Sequence, residues 1–176
     1  MDPLFQEIYQ KYHQDLFQFL FYMVKNREFA EDLVQEVYIR VMRSYSRFEG
    51  KSSLKTWLLS IARNVAIDHF RKENRQKKHL FSRPDWMEAD IRDERPLPEE
   101  VALKQEKVRL LYRSLDVLTL DQRSVLIARF IENLTIAETA EMLGWTESKV
   151  KTTQHRAIKA VKGFMEKQLE REGGQG

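Results

Sequence analysis

The stretch TIAETAEMLGWTESKVKTTQHR, running from Thr135 to Arg156, decides the reading of this chain. Thr135 to Leu143 predicts a short amphipathic helix, Gly144-Trp145 a turn, and Thr146 with Glu147 the start of a second helix that reaches about Phe164. Ala140, Gly144 and Val150 fall at the offsets a helix-turn-helix demands: a small residue where two helices cross, a glycine for the turn, and an apolar residue that locks the angle. On the second helix, Val150, Ala157 and Val161 face inward with Ile158 beside them. Lys149, Thr152, His155, Arg156 and Lys159 face outward. Between Glu147 and Lys162 stand five cations and one anion, which suits a helix that enters a phosphate-lined groove. The competing reading is a purely structural helical hairpin.

Upstream, Thr119-Leu-Asp-Gln122 has the form of a capping box, so a helix is expected from about Leu120 to Glu132. Before it the composition changes. Residues 79–103 carry 3 Lys/Arg against 7 Asp/Glu and hold Pro84, Pro96 and Pro98, whereas residues 1–78 carry 14 against 10 and residues 104–176 carry 13 against 10. An acidic, proline-containing segment between two basic blocks reads as an extended linker. The tail from 171, ending Gly173-Gly174-Gln175-Gly176, is expected to fray.

In the N-terminal block, Ile8, Tyr12, Leu16, Phe19, Leu20 and Met23 recur at helical spacing, which predicts an amphipathic helix over 4–25, broken at Asn26-Arg27. A second helix from about Ala30 to Ser44 buries Leu33, Val37 and Val41 and turns Asp32, Gln35 and Glu36 the other way. Asp32 and Glu36 repel each other, and only Glu36 has a following cation at the right spacing, Arg40. Taken alone, such a face is an ordinary solvated one. A polar loop with Gly50 and two aromatics follows over 44–55, and Thr56 opens a third helix burying Trp57, Leu58, Ile61, Ala62 and Val65. Beside that stripe run Asn64, Asp68, Arg71 and Arg75, and the helix ends in a cationic cluster. Cations and amides beside a loop with exposed aromatics suit contact with a nucleic-acid backbone and stacking on unpaired bases. Cations at a helix C-terminus are also favourable without any ligand.

Composition narrows the function. The 176 residues, 42% hydrophobic with 6 Gly, suit an all-α fold of two small helical domains joined by a flexible acidic linker, the C-terminal one holding the helix-turn-helix. The expected boundaries are 1–78, 79–103 and 104–170. With no Cys, disulfides, thiolate metal sites and a cysteine nucleophile are excluded. His13, His69, His79 and His155 lack metal-ligand spacing and no glycine loop cradles a phosphate, so an enzyme, a cofactor and a small-molecule substrate are not expected. The N-terminus lacks the order of a signal peptide and no apolar run is long enough to span a membrane, so a cytoplasmic chain without membrane insertion is expected.

Three segments together resemble the sigma-70 family of transcription initiation factors, in its compact extracytoplasmic-function group: AEDLVQEVYIR at 30–40, KTWLLSIARNVAID at 55–68 and ESKVKTTQHR at 147–156. The stretch YHQDLFQFLF at 12–21 is most like the sigma X type of Bacillus. The resemblance spans nearly all of residues 4–165. It implies that Asp32, Gln35, Glu36 and Arg40 dock on the clamp helices of the largest subunit of core RNA polymerase, displacing the solvated-face reading. It implies that the loop from Ser44 to Lys55, with Tyr45 and Phe48, holds a base flipped from the −10 element, and that Asn64, Asp68 and Arg71 contact that element. The −35 element falls to Lys149, Lys151, Thr152, His155 and Arg156, with Lys159 on the same outward face. The linker is expected to thread the polymerase channels, and the polymerase flap and an anti-sigma factor are further expected partners. His155 stands where relatives often carry an aromatic or apolar residue, so base preference there does not transfer. The alternative is a two-domain regulator that binds promoters without being a polymerase subunit; such regulators usually read palindromes as dimers, and no dimerisation helix is evident.

Overall fold

The computed structural model describes residues 3–80 and 97–174. Among the described residues there is no strand. The N-terminal block is three helices, α1 (Pro3–Val24), α2 (Arg27–Ser44) and α3 (Leu54–Leu80), with a 3₁₀ turn at Tyr45–Arg47. The C-terminal block comprises α4 (Glu99–Ala102), α5 (Glu106–Ser114), α6 (Leu120–Leu126), α7 (Ile136–Leu143) and α8 (Glu147–Gly173).

The turns explain the boundaries. Lys25 takes a left-handed conformation (φ 54°), and its N–H donates to the Phe21 carbonyl at 2.7 Å, closing α1. Asn26, expected as a break, is in fact the N-cap of α2: its side-chain oxygen accepts from the Phe29 N–H at 2.9 Å, and the helix begins at Arg27 rather than Ala30. Ser53 likewise accepts from the Thr56 N–H at 3.1 Å, so α3 starts at Leu54, before the expected Thr56. The predicted capping box at Thr119–Gln122 is present in both directions, at 3.1 Å each. The helix it starts does not run unbroken to Glu132. Residues Ile127–Ile131 form a π turn, in which the Glu132 N–H reaches back five residues to the Ile127 carbonyl at 3.0 Å. At the other end, α8 continues to Gly173, past residue 171 where fraying was expected.

The buried faces shift slightly from expectation. On α2 the buried set is Ala30, Val34, Val37 and Val41, with Leu33 only half-buried; on α3 it includes Leu58, Leu59, Ala62, Val65 and Ala66, with Trp57 and Ile61 half-buried. Centred on α1 are Leu16, Phe19, Leu20 and Met23, all fully buried, each contributing about 1.5–3 kcal/mol through loss of apolar surface from water.

This core does not stop at the block boundary. One continuous apolar cluster joins Phe21, Tyr22 and Met23 of α1 to Tyr112, Leu115, Leu126, Ile127 and Ala157 of the C-terminal block. Arg123, 8% exposed, donates to the Met23 carbonyl at 2.6 Å and to the Leu115 carbonyl at 2.8 Å. It thereby places a cation on the last carbonyls of α1, where the helix dipole is negative. Lys25 pairs with Asp116 at 2.9 Å, Arg63 with Asp121 at 2.9 Å, and Arg27 with Glu100. The two blocks, read from sequence as separate units on a linker, are packed against each other. Of the expected linker, residues 81–96 lie outside the described residues, and α4 forms within its last part with Val101 buried.

Candidate functional site

The helix-turn-helix is built as the spacing predicts. Thr135 caps α7 through a reciprocal capping box with Glu138, at 2.9 and 3.0 Å; these bonds, first the one from the Thr135 backbone, hold the Glu138 carboxyl below its ordinary range. Gly144 ends the helix in the left-handed region (φ 69°), its N–H donating to the Glu141 carbonyl at 3.3 Å and the Trp145 N–H to the Ala140 carbonyl at 3.0 Å. Thr146 then caps α8 by accepting from the Lys149 N–H at 3.1 Å. Val125, Ala140 and Val150 form a separate small core beneath the turn, with Ile136, Leu143 and Trp145 packed on it. Val150 and Ala157 are buried and Val161 and Ile158 half-buried.

The outward set is exposed: Lys149, Lys151, Thr152, His155, Arg156 and Lys159 all lie open to solvent along one side of α8. Two groups that fix this helix were not singled out from sequence. Arg129, in the π turn, donates to the Gln154 side chain at 2.9 Å and to the Leu134 carbonyl at 2.6 Å, clamping α8 to the turn before α7. The half-buried Trp145 ring carries the Lys149 ammonium 4.0 Å above its centroid, a cation–π contact that orients the lysine at the start of α8. A tryptophan four residues before an exposed lysine, across a helix start, was the available signal.

On α2, Asp32 and Gln35 are exposed and Glu36 half-buried, while Arg40 donates to Glu36 at 3.3 Å as its spacing predicts. The same Arg40 also reaches α3 and donates to Asp68 at 2.9 Å. Exposed Phe29, Ile39 and Met42 lie on this helix too, giving the polar face apolar neighbours. Asp68 has Arg71 at 3.9 Å, and Asn64 and Arg71 are exposed beside it.

The loop aromatics are not free as expected. Tyr45 and Phe48 are half-buried against Trp57, at ring-centroid distances of 6.1 and 4.9 Å, because edge and offset contacts among three rings remove apolar area that an open loop leaves in water. Ser44 donates to the Arg40 carbonyl at 2.6 Å, a bond within the helix end. Lys55, expected at the −10 surface, points into the joint between the blocks. It donates to the Glu132 carbonyl at 3.2 Å and lies 3.6 Å from the Glu132 carboxylate and 3.9 Å from Asp15. Its ammonium group is thus held by α1 and the C-terminal block, contacts that the sequence did not indicate.

Residues 8–76 match the family model "Sigma-70 region 2", and residues 109–161 match "Sigma-70, region 4". The chain belongs to the sigma-70 family. It is 55% identical over 166 residues to the ECF RNA polymerase sigma factor SigX of Bacillus subtilis, covering 94% of this chain and 86% of that protein. The RNA polymerase sigma factor YlaC of the same organism is 32% identical over 167 residues, covering 95% of each chain. Among solved structures, the sigma factor RpoE of Bartonella quintana, crystallised with the anti-sigma factor NepR, superposes with a TM-score of 0.72 at 22% identity over 92% of this chain and 96% of that one. CnrH, solved with the cytosolic domain of CnrY, gives 0.65 at 17% identity over 92% and 87%; both share the fold. The chain is thus an alternative sigma factor of the extracytoplasmic-function group, and the helix-turn-helix regulator reading gives way to it. In this sigma factor the region 2 match ends within α3 and the region 4 match spans α5 to most of α8. No helix among its described residues is long and apolar enough to cross a membrane.

Proposed function

We propose that this sigma factor docks on the clamp helices of the largest polymerase subunit through Asp32, Gln35, Glu36 and Arg40, and that α8 reads the −35 element through Lys149, Lys151, Thr152, His155, Arg156 and Lys159. The observation that carries the reading is the uninterrupted exposed side of α8, cationic and seated on a rigid helix-turn-helix. Phosphate contacts from Lys149 and Lys159 near its ends would fix register, and Arg156 and His155 between them lie where side chains reach base edges. Asn64, Asp68 and Arg71 contact the −10 element, and the 44–55 loop captures a base, with Tyr45 and Phe48 first leaving Trp57. Lys55 joins that surface only after leaving Glu132. Residues 1–78 and 104–170 act as the two functional units.

The protein works in the cytoplasm as a regulatory subunit with no catalysis of its own, and the flap of the polymerase and an anti-sigma factor are further partners. The solved complexes of RpoE with NepR and of CnrH with CnrY support the last point by fold likeness. The test is run-off transcription from a candidate promoter by core polymerase with and without this protein. A transcript that depends on the added chain supports the reading, and core polymerase left unchanged by it overturns it.

A further inference from the structure

On the outward side of α8 one cation differs from the rest. Among the described residues, Lys151, Thr152, His155, Arg156 and Lys159 have no side-chain hydrogen bond, ion pair or ring contact, so nothing beyond the helix holds them. Lys149 is fixed at two points. Its backbone N–H donates to the Thr146 hydroxyl at 3.1 Å. Its ammonium stands 4.0 Å above the centroid of the Trp145 ring, well inside the ~6 Å reach of a cation–π contact. The ring has its own support: it packs on the small core of Val125, Ala140 and Val150, and the Trp145 N–H donates to the Ala140 carbonyl at 3.0 Å. A carboxylate in its place would also hold the lysine, but it would offset the charge that a phosphate is to meet. A neutral aromatic face orders the ammonium and leaves that charge whole. No carboxylate among the described residues pairs with Lys149.

We propose that Trp145 is a positioning residue for −35 binding, holding Lys149 in the free chain where that side chain meets a backbone phosphate of the element. The inference rests on the reading that Lys149 makes such a contact. Ordering a long, rotamer-rich side chain at an interface costs affinity, and a side chain ordered beforehand avoids that loss. The ring acts only through the lysine. Its removal therefore leaves the phosphate contact possible, but Lys149 has to be ordered at the moment of binding.

The test is a double-mutant cycle on promoter binding by holoenzyme, reconstituted from core polymerase and the full-length chain, across a salt titration. Trp145→Leu, which keeps an apolar side chain on the small core but removes the ring, is expected to weaken binding about two- to tenfold. The salt slope is expected to stay at the parent value, whereas Lys149→Ala lowers it by about 0.9. In the Lys149→Ala background the same Trp145→Leu change is expected to have no further effect. Trp145→Phe, which keeps a ring, is expected to recover most of the loss, and it serves in both backgrounds if Trp145→Leu fails to fold by far-ultraviolet circular dichroism. In the free parent chain the Lys149 Hε protons, shielded by the ring, are expected upfield of their ordinary nuclear magnetic resonance position. An ordinary position there, an equal loss from Trp145→Leu with and without Lys149, or a salt slope that falls with the ring, overturns the positioning role. Lys149→Ala that leaves both affinity and slope at parent values instead overturns the phosphate reading of Lys149, and this inference with it.

Discussion

Arg40 and Asp68 are joined by a 2.9 Å hydrogen bond across α2 and α3. One of them stands on the face assigned to polymerase, the other on the face assigned to −10 DNA. The side chains are 35% and 43% exposed, so solvent screening leaves the pair worth no more than about 1 kcal/mol to stability. Its consequence is therefore expected in function. Arg40→Gln and Asp68→Asn should each leave the melting temperature nearly unchanged, and a double-mutant cycle on strand opening by holoenzyme should show the two changes to be non-additive. Additive effects on opening would separate the two faces.

Two acids on α2, exposed Asp32 and half-buried Glu36, give a second expectation. Asp32→Ala with Glu36→Ala should keep the fold, since an exposed substitution such as the first usually moves stability by less than about 0.5 kcal/mol and the second gives up an i,i+4 pair with Arg40 worth about 0.3–0.5 kcal/mol, yet it should weaken competition for core polymerase against another sigma factor. Normal competition by the double variant would assign polymerase docking to a different face.

For α8 the prediction divides sticking from reading. Lys149→Ala and Lys159→Ala should weaken binding to all promoters alike and lower the salt slope by about 0.9 per contact removed. Arg156→Ala should relax preference at particular −35 positions, a bidentate arginine–guanine contact being worth about 1–3 kcal/mol of discrimination. Selection from a randomised −35 pool at matched salt distinguishes them. Recovery of the wild-type consensus by Arg156→Ala would reverse the assignment.

Gly144 supports the same helix by its backbone. A Cβ placed there meets nothing within 4 Å, so Gly144→Ala should cost only the left-handed conformation, about 1–2 kcal/mol. The melting temperature should fall by a few degrees, with −35 sequence preference intact. A changed consensus would mean that the turn sets the reading angle of α8.

The aromatic cluster gives a different balance. Tyr45→Ala with Phe48→Ala should slow strand opening, seen as weaker permanganate reactivity of promoter thymines, and should also lower stability, because both rings cover Trp57. Opening at the wild-type rate would place base capture on other side chains of the loop.

Much of the molecule was legible in local sequence because the determining interactions are local. The capping boxes at Thr119–Gln122 and Thr135–Glu138, the glycine turn at 144, the Glu36–Arg40 pair and the outward cations of α8 all depend on residues within a few positions of one another. Helical periodicity gave each buried stripe to within one residue, as Leu33 and Val34 illustrate. Only the tertiary structure decided where charged side chains go when their partners are distant in sequence. Lys55 meets Glu132 seventy-seven residues on, Arg123 meets Met23 a hundred residues back, and Arg63 meets Asp121. Burial of such groups is set by which helix faces happen to pack together, and a long flexible lysine or arginine reads the same in sequence whether it ends in water, on DNA or against a carbonyl of the other block.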